Sequence, residues 1–326
     1  MARVLSGVQP TGDPHIGSYL GAFQHWATDQ HEHDSFYCVV DLHALTREHD
    51  PALLKQRTLE IAISLLASGL DPDVCTLFVQ SHVPQHTELC WLFECTATMG
   101  ELRRMTQFKE KSKGQESVRV GLFTYPVLQA ADIVLYDADR VPVGDDQRQH
   151  LELARDITIR FNTRYGETFV VPEAAIPTSG ARVMDLQEPT NKMSKSESSP
   201  QGTIDLLDDP KDIEKKIKRA VTDTETEVRY DPAAKPGVSN LLEILAASAG
   251  GDPRVLAGNY ANYGSLKADV AAALIEKLRP VQERYRELAG DQATVADILS
   301  KGAAKAEAVA AVTLERARAA VGLLPR

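Results

Sequence analysis

Short apolar runs alternate with stretches of helical periodicity through the first half of the chain. Arg3–Ser6 predicts a strand, residues 7–14 a turn-rich loop, and His15–Ala27 a helix. Phe36–Val40 reads as a second buried strand and Thr76–Gln80 as a third. Between these two, Asp50 and Pro51 offer an N-cap and a proline at the first helical position, opening a helix that stops near Gly69. Strand–helix–strand alternation at this spacing implies an α/β fold, a parallel sheet with helices on its faces. From about Pro84 to Ser117 the pattern turns helical and polar, as an insertion would. Thr124–Tyr136 predicts an apolar helix carrying one acid, Asp132. Arg140–Val143 follows as a short strand, and about Asp146 to Asn162 as a helix. Beyond Pro200 the chain reads as almost wholly helical, over Pro210–Val221, Ser239–Ala249, Leu266–Leu288 with a kink at Pro280, and Val295–Ala320. Leu241, Leu245, Leu274 and Leu278 are assigned to its core.

Length changes this picture little: 326 residues suffice for two domains, or for one large domain with an appendage. Charge changes it more. The 36 basic and 46 acidic residues give a net charge of −10, which argues against non-specific binding of nucleic acid or anionic membrane over the whole surface. Two local basic clusters stand out nonetheless, Arg103-Arg104 with Lys109, Lys111 and Lys113, and Lys211 to Arg219. Each fits either a solvated helix face or a nucleic-acid contact. Cys38, Cys75, Cys90 and Cys95 are scattered without C-x-x-C spacing, so zinc, iron–sulfur and disulfide frameworks are disfavoured. The opening residues lack a signal-peptide pattern and no apolar run has transmembrane length, so a reducing cytoplasm is expected.

Candidate chemistry falls in four places. Gln9-Pro10-Thr11-Gly12 runs into His15-Ile16-Gly17-Ser18, where glycines permit close backbone approach and a helix N-terminus offers free N–H groups to an anion. A capped helix after a tight turn would look the same. Lys192-Met193-Ser194-Lys195-Ser196 sets two ammonium groups and two hydroxyls on five residues, suited to polyphosphate. By itself that run also reads as a solvated loop. The two segments lie some 175 residues apart, and together they fit a clamp around one nucleoside triphosphate. Gly144, Asp145 and Asp146 follow a strand end and suit ribose hydroxyls or a helix cap. Asp132 is costly to bury without a donor, and a ligand N–H or a core partner would serve equally.

At these residues the chain resembles class I aminoacyl-tRNA synthetases. Pro14 to Ser18 is similar to their HIGH signature and Lys192 to Ser196 is identical to KMSKS. Ser6 to Gly12, Arg104 to Lys111, Val141 to Gln147, Glu214 to Lys218 and Lys235 to Leu242 resemble the tryptophan-specific bacterial branch, nearly end to end. The resemblance implies a Rossmann-like catalytic domain over residues 1–187, with a helical insertion and dimer interface around 84–120. It further implies an all-helical anticodon-binding domain over 188–290, which starts with the KMSKS loop, and a C-terminal helix over 291–326.

It also implies site roles. His15, Lys192 and Lys195 would be catalytic. Gln9, Pro10, Thr11, Gly17, Ser18, Gly144, Asp145, Asp146 and Val183 would bind ATP, as would Lys192, Met193, Ser194, Lys195 and Ser196. Tryptophan would lie against Leu5, Gln9, His43, Tyr125 and Gln129, with Asp132 accepting its indole N–H. Mg²⁺ would arrive with ATP and need no dedicated protein ligands; the partners would be L-tryptophan, tRNA(Trp) and a second copy of the chain. Three departures stand. Ser18 replaces the second histidine of HIGH, and Leu5 and Gln129 replace the Phe and Met usual near the amino-acid pocket. The cysteines that hold an iron–sulfur centre in a few relatives are missing. A tyrosine-specific enzyme, a synthetase-like accessory protein and a small-molecule adenylyltransferase are the rival readings.

Overall fold

Five parallel strands carry the first half of the chain in the computed structural model, which describes residues 2–114, 117–138, 140–142, 147–175, 181–194 and 199–325. They are β1 (Arg3–Val8), β2 (Asp34–Val39), β3 (Thr76–Val79), β4 (Arg140–Pro142) and β5 (Glu173–Ala175). Their spatial order is β3-β2-β1-β4-β5, with every neighbouring pair parallel. The order reverses between β1 and β4, and the crevice beyond the carboxyl ends at such a reversal is where open α/β sheets bind ligands.

The helices of this half are α1 (Ile16–Ser18), α2 (Gln24–Asp29), α3 (Asp41–Ala44), α4 (Pro51–Ala67), α5 (Gln85–Glu94), α6 (Met99–Arg104), α7 (Thr106–Ser112), α8 (Val120–Leu135) and α9 (Arg148–Tyr165). Then follow α10 (Pro210–Lys218), α11 (Pro236–Ala249), α12 (Pro253–Ala257), α13 (Tyr263–Gly290) and α14 (Gln292–Ala320). The Asp50 cap is in place, its carboxylate accepting from Ala52 N at 2.7 Å and Leu53 N at 3.2 Å. Pro280 sits inside α13, which continues through it. The single helix expected over His15–Ala27 is instead divided, with a π-helical turn at Tyr19–Phe23 between α1 and α2. That wider turn lets Tyr19, Leu20 and Phe23 all face the core. β5 went unpredicted because Glu173-Ala174-Ala175 holds no β-branched or aromatic residue to mark a strand.

Alternation along β2 and β3 divides the core into two layers. Tyr37, Val39, Leu77 and Val79 pack with Ile16, Leu65, Leu241 and Leu274 on one face. Phe36, Cys38 and Phe78 pack with Leu5, Ala130, Ile157 and Ala310 on the other. The first layer runs without a break from the sheet into α10, α11 and α13, and the four leucines assigned to the helical core are at most 4% exposed.

The last helix returns to the sheet. α14 lies along the edge strand β3 and against α5 and α8, covering backbone that would otherwise be open to pairing with another chain. Close approach depends on Gly302, where a Cβ would stand 1.8 Å from the Leu77 carbonyl oxygen. Any larger residue would push the helix off the strand. Among the described residues no helix is long and apolar enough to cross a membrane.

The insertion is tied down by charge. Thr98 caps α6 in a capping box with Glu101, and the Arg160 guanidinium of α9 forks the same carboxylate. Those bonds outweigh burial and hold the Glu101 carboxyl down to about 2, from an ordinary 4.5. A carboxyl depressed on folding contributes stability that is present above its unfolded value and is lost as pH falls through the folded one. Glu101→Gln should therefore lower Tm at neutral pH, with the gap to the parent narrowing from pH 4.5 toward pH 2. Thermal melts across that range check this, and a gap independent of pH would refute it.

Candidate active site at the carboxyl ends of the central strands

β1 ends at Val8, and Gln9 and Thr11 stand exposed just beyond it, with Pro10 buried between them. His15 is the N-cap of α1: its Nδ1 accepts from Gly17 N at 3.1 Å, and Ser18 Oγ lies 3.5 Å from Nε2. Gly17 admits no side chain, since a Cβ would meet the imidazole at 2.9 Å. That same Cβ position is 3.6 Å from Met193 Cβ. The two phosphate-directed segments named from sequence thus touch.

What joins them is backbone pairing on both sides. Ile16 N donates to Ile204 O at 3.0 Å and Leu206 N to Pro14 O at 2.9 Å, so the strand-like segment 203–206 lines the first loop. Met193 N donates to Val183 O at 3.1 Å, and Met184 pairs with Lys192 as an isolated bridge. Thr203 Oγ1 reaches Ser194 O at 3.4 Å. Val183 and Met193 are each 2% exposed, whereas Lys192 is at the surface. Lys195 and Ser196, and Gly144, Asp145 and Asp146, lie outside the described residues.

Two residues that the sequence did not single out brace this arrangement. Asn240, 3% exposed on α11, accepts from Met184 N at 2.8 Å and donates to Met184 O at 2.9 Å. Gln282 of α13 donates to the carbonyls of Leu206 at 2.9 Å and Asp208 at 3.0 Å. A buried Asn or Gln on an apolar helix is the one signal that marks such a brace. The basic face of α10 points outward, with Ile213 and Ile217 buried behind it and Lys216 paired to Asp208 at 2.6 Å.

On the opposite face of the sheet lies a polar cage. Asp132, 5% exposed on α8, accepts from His43 Nε2 at 2.7 Å through Oδ2. His86 Nδ1 meets Oδ1 at 2.7 Å, and Gln80 Nε2 is shared between both oxygens at 2.8 and 2.9 Å. Burial opposes the charge, but the hydrogen bonds from His43 and His86 prevail and hold the carboxyl well below the usual range. The acid is therefore an ionised acceptor at neutral pH. His43 stands edge-on to Tyr125, centroids 6.3 Å apart, and the Tyr125 hydroxyl bonds His150 Nε2 at 2.7 Å. Leu5 is buried in the same layer and half-buried Gln129 contacts Gln147 at 3.3 Å. The structure thus gathers His43, Tyr125 and Asp132; Gln80 and His86 were missed, since loop and helix-start residues carry no periodic signal.

The arrangement sets paired loop segments on one face of the sheet and an oriented buried anion on the other. Comparison with known proteins agrees. Residues 1–279 match the model of the class I tRNA synthetases (W and Y). The chain is 54% identical over 330 residues to tryptophan–tRNA ligase 1 of Streptomyces coelicolor, covering 100% of this chain and 98% of that one. It resembles the crystal structure of tryptophanyl-tRNA synthetase from Mycoplasma pneumoniae with a TM-score of 0.92 at 36% identity, over 99% of this chain and 98% of that one. The Campylobacter jejuni enzyme, solved with ADP and tryptophan, gives a TM-score of 0.84 at 35% identity, over 98% and 100% of the two chains.

Proposed function

The chain belongs to the class I tRNA synthetases of the tryptophan and tyrosine family and activates tryptophan with ATP for transfer to tRNA, and we propose that its two faces divide the labour. Asp132 selects the amino acid by accepting the indole N–H, with Leu5, Gln9, His43, Tyr125 and Gln129 around the ring. The segments at 9–18 and 192–196, with Val183 and residues 144–146, hold ATP. The juxtaposition of Met193 with Gly17 supports this reading, because it joins the start of the KMSKS segment to the HIGH turn.

Tryptophan's carboxylate attacks the α-phosphorus in line, the bond to the β-phosphate oxygen breaks, and pyrophosphate leaves. The nucleophile is already ionised, so no general base is needed. The work is positioning and stabilisation of the departing charge. Lys192 and Lys195 supply cations for it, and His15, whose Nδ1 is taken by Gly17 N, supplies a donor through Nε2. Mg²⁺ enters as part of the ATP substrate. The adenylate then esterifies the terminal ribose of the tRNA. The helices of residues 188–290 read the anticodon, and residues 1–187 hold the catalytic sheet. Trp91 and Met99, 64% and 59% exposed on α5 and α6, support a homodimer built on the insertion. The enzyme acts in the cytoplasm.

ATP–pyrophosphate exchange across all twenty amino acids tests the reading. Tryptophan should support exchange and the others should not. Exchange with tyrosine would favour the tyrosine-specific enzyme, and none at all an accessory protein.

A further inference from the structure

His86 is completely buried, and both of its ring nitrogens are engaged. Nδ1 lies 2.7 Å from Asp132 Oδ1 and Nε2 lies 2.7 Å from the Tyr136 hydroxyl. An ionised carboxylate only accepts, so Nδ1 carries a hydrogen. Nε2 is taken by the tyrosine hydroxyl. Burial raises the Tyr136 hydroxyl far above its ordinary range, so it remains a donor. The tyrosine is itself fixed, stacked on Phe36 with centroids 4.8 Å apart, packed on Phe78 at 5.5 Å, and with its carbonyl accepting from Arg3 at 2.9 Å. Tyr136, His86 and Asp132 thus form one buried chain of hydrogen bonds.

The carboxylate is also full. His43, His86 and the shared Gln80 amide occupy both oxygens, so an incoming N–H must take the place of one donor. His43, on the four-residue α3 at a strand's carboxyl end, and Gln80, in the turn after β3, both sit on loop-borne backbone. His86 and Gln80 are each at 0% exposure and bonded at both ends, His86 through the Tyr136 hydroxyl and Gln80 through Leu42 N at 3.1 Å, so they stay and His43, at 5%, is the donor that gives way.

We infer that His86, held in place at Nε2 by Tyr136, is a positioning residue for amino-acid recognition, fixing Asp132 so that one lone pair is presented to the indole N–H. This rests on the functional reading above. Losing the Tyr136 hydroxyl leaves Nε2 buried and unpaired and frees the ring to turn, so that Nδ1–H no longer holds Oδ1 in one place. The effect should fall on binding of tryptophan and not on the distant phosphates.

The test is pyrophosphate exchange with Tyr136→Phe, His86→Leu and His86→Asn, following KM for tryptophan, KM for ATP and kcat. Tyr136→Phe and His86→Leu should each raise the tryptophan KM about tenfold, the usual effect of an orphaned buried hydrogen-bonding group, with kcat and the ATP KM within about threefold. His86→Asn, whose amide nitrogen can stand where Nδ1 does, should restore the KM to within about threefold of the parent. Tyr136→Phe removes one atom and guards against loss of fold in the leucine variant. An unchanged tryptophan KM in Tyr136→Phe would overturn the inference, as would a rise shared equally by ATP, or failure of the asparagine rescue. Exchange by the parent with a different amino acid would overturn the functional reading itself.

Discussion

Lys195→Ala is expected to lower kcat for adenylate formation by about 10²–10³, while the KM for tryptophan changes by less than about threefold. The asymmetry follows from when the lysine is needed. Charge builds on the departing pyrophosphate only as the α–β bridge breaks, so an ammonium aimed there acts on the transition state and little on bound amino acid. The rest of the loop supports that aim. Met193 is pinned to Val183 at 3.1 Å, Ser194 is held by Thr203 at 3.4 Å, and the 203–206 segment pairs with the turn at Pro14 and Ile16. Met193, two positions before this lysine, stands against Gly17, whereas Asp132 lies on the other face of the sheet. Single-turnover adenylate formation measures kcat directly. Equal losses in kcat and in tryptophan affinity would show that Lys195 binds substrate without favouring its transition state.

Most of the frame was legible in the chain because it repeats. The apolar runs of β1, β2 and β3, the Asp50-Pro51 start and the long helical periods beyond Pro200 each give several residues that agree, and the elements follow within a few positions. The segments at 9–18 and 192–196 were legible as chemistry, and their meeting is explained by backbone pairing that leaves no residue signature. The braces were not legible. Asn240 and Gln282 look like ordinary polar positions on helices until the carbonyls they hold are known. Gln80 and His86 come from a turn and a helix start, and only the sheet order brings them to Asp132, 52 and 46 positions away in sequence. The π-helical turn at Tyr19–Phe23 was hidden for a similar reason, since α and π periods do not separate over five residues. Long-range polar pairing is set by topology, and periodicity reports only what each element buries.

Asp132→Ala should collapse the preference for tryptophan over phenylalanine by about 10² or more, chiefly through loss of kcat/KM for tryptophan. A site built on a buried acceptor rejects a ring without the donor because the acceptor is left unpaired; remove the acceptor, and phenylalanine no longer meets that penalty. The same substitution strips His43, His86 and Gln80 of a common partner at 2.7 to 2.9 Å. Deleting one member of a buried, hydrogen-bonded charge cluster costs about 3–5 kcal/mol, so a fall in Tm is expected alongside. The two effects separate with Asp132→Asn. Its amide oxygen can still take one histidine N–H, but its NH₂ group faces donors and turns a donor toward the indole. Selectivity should therefore fall nearly as far as in the alanine variant, with a smaller loss of Tm. Should Asp132→Asn keep the parent's ratio of kcat/KM for tryptophan over phenylalanine, the carboxylate would be a structural hub of the sheet's second layer, and recognition would have to come from the ring contacts of His43 and Tyr125.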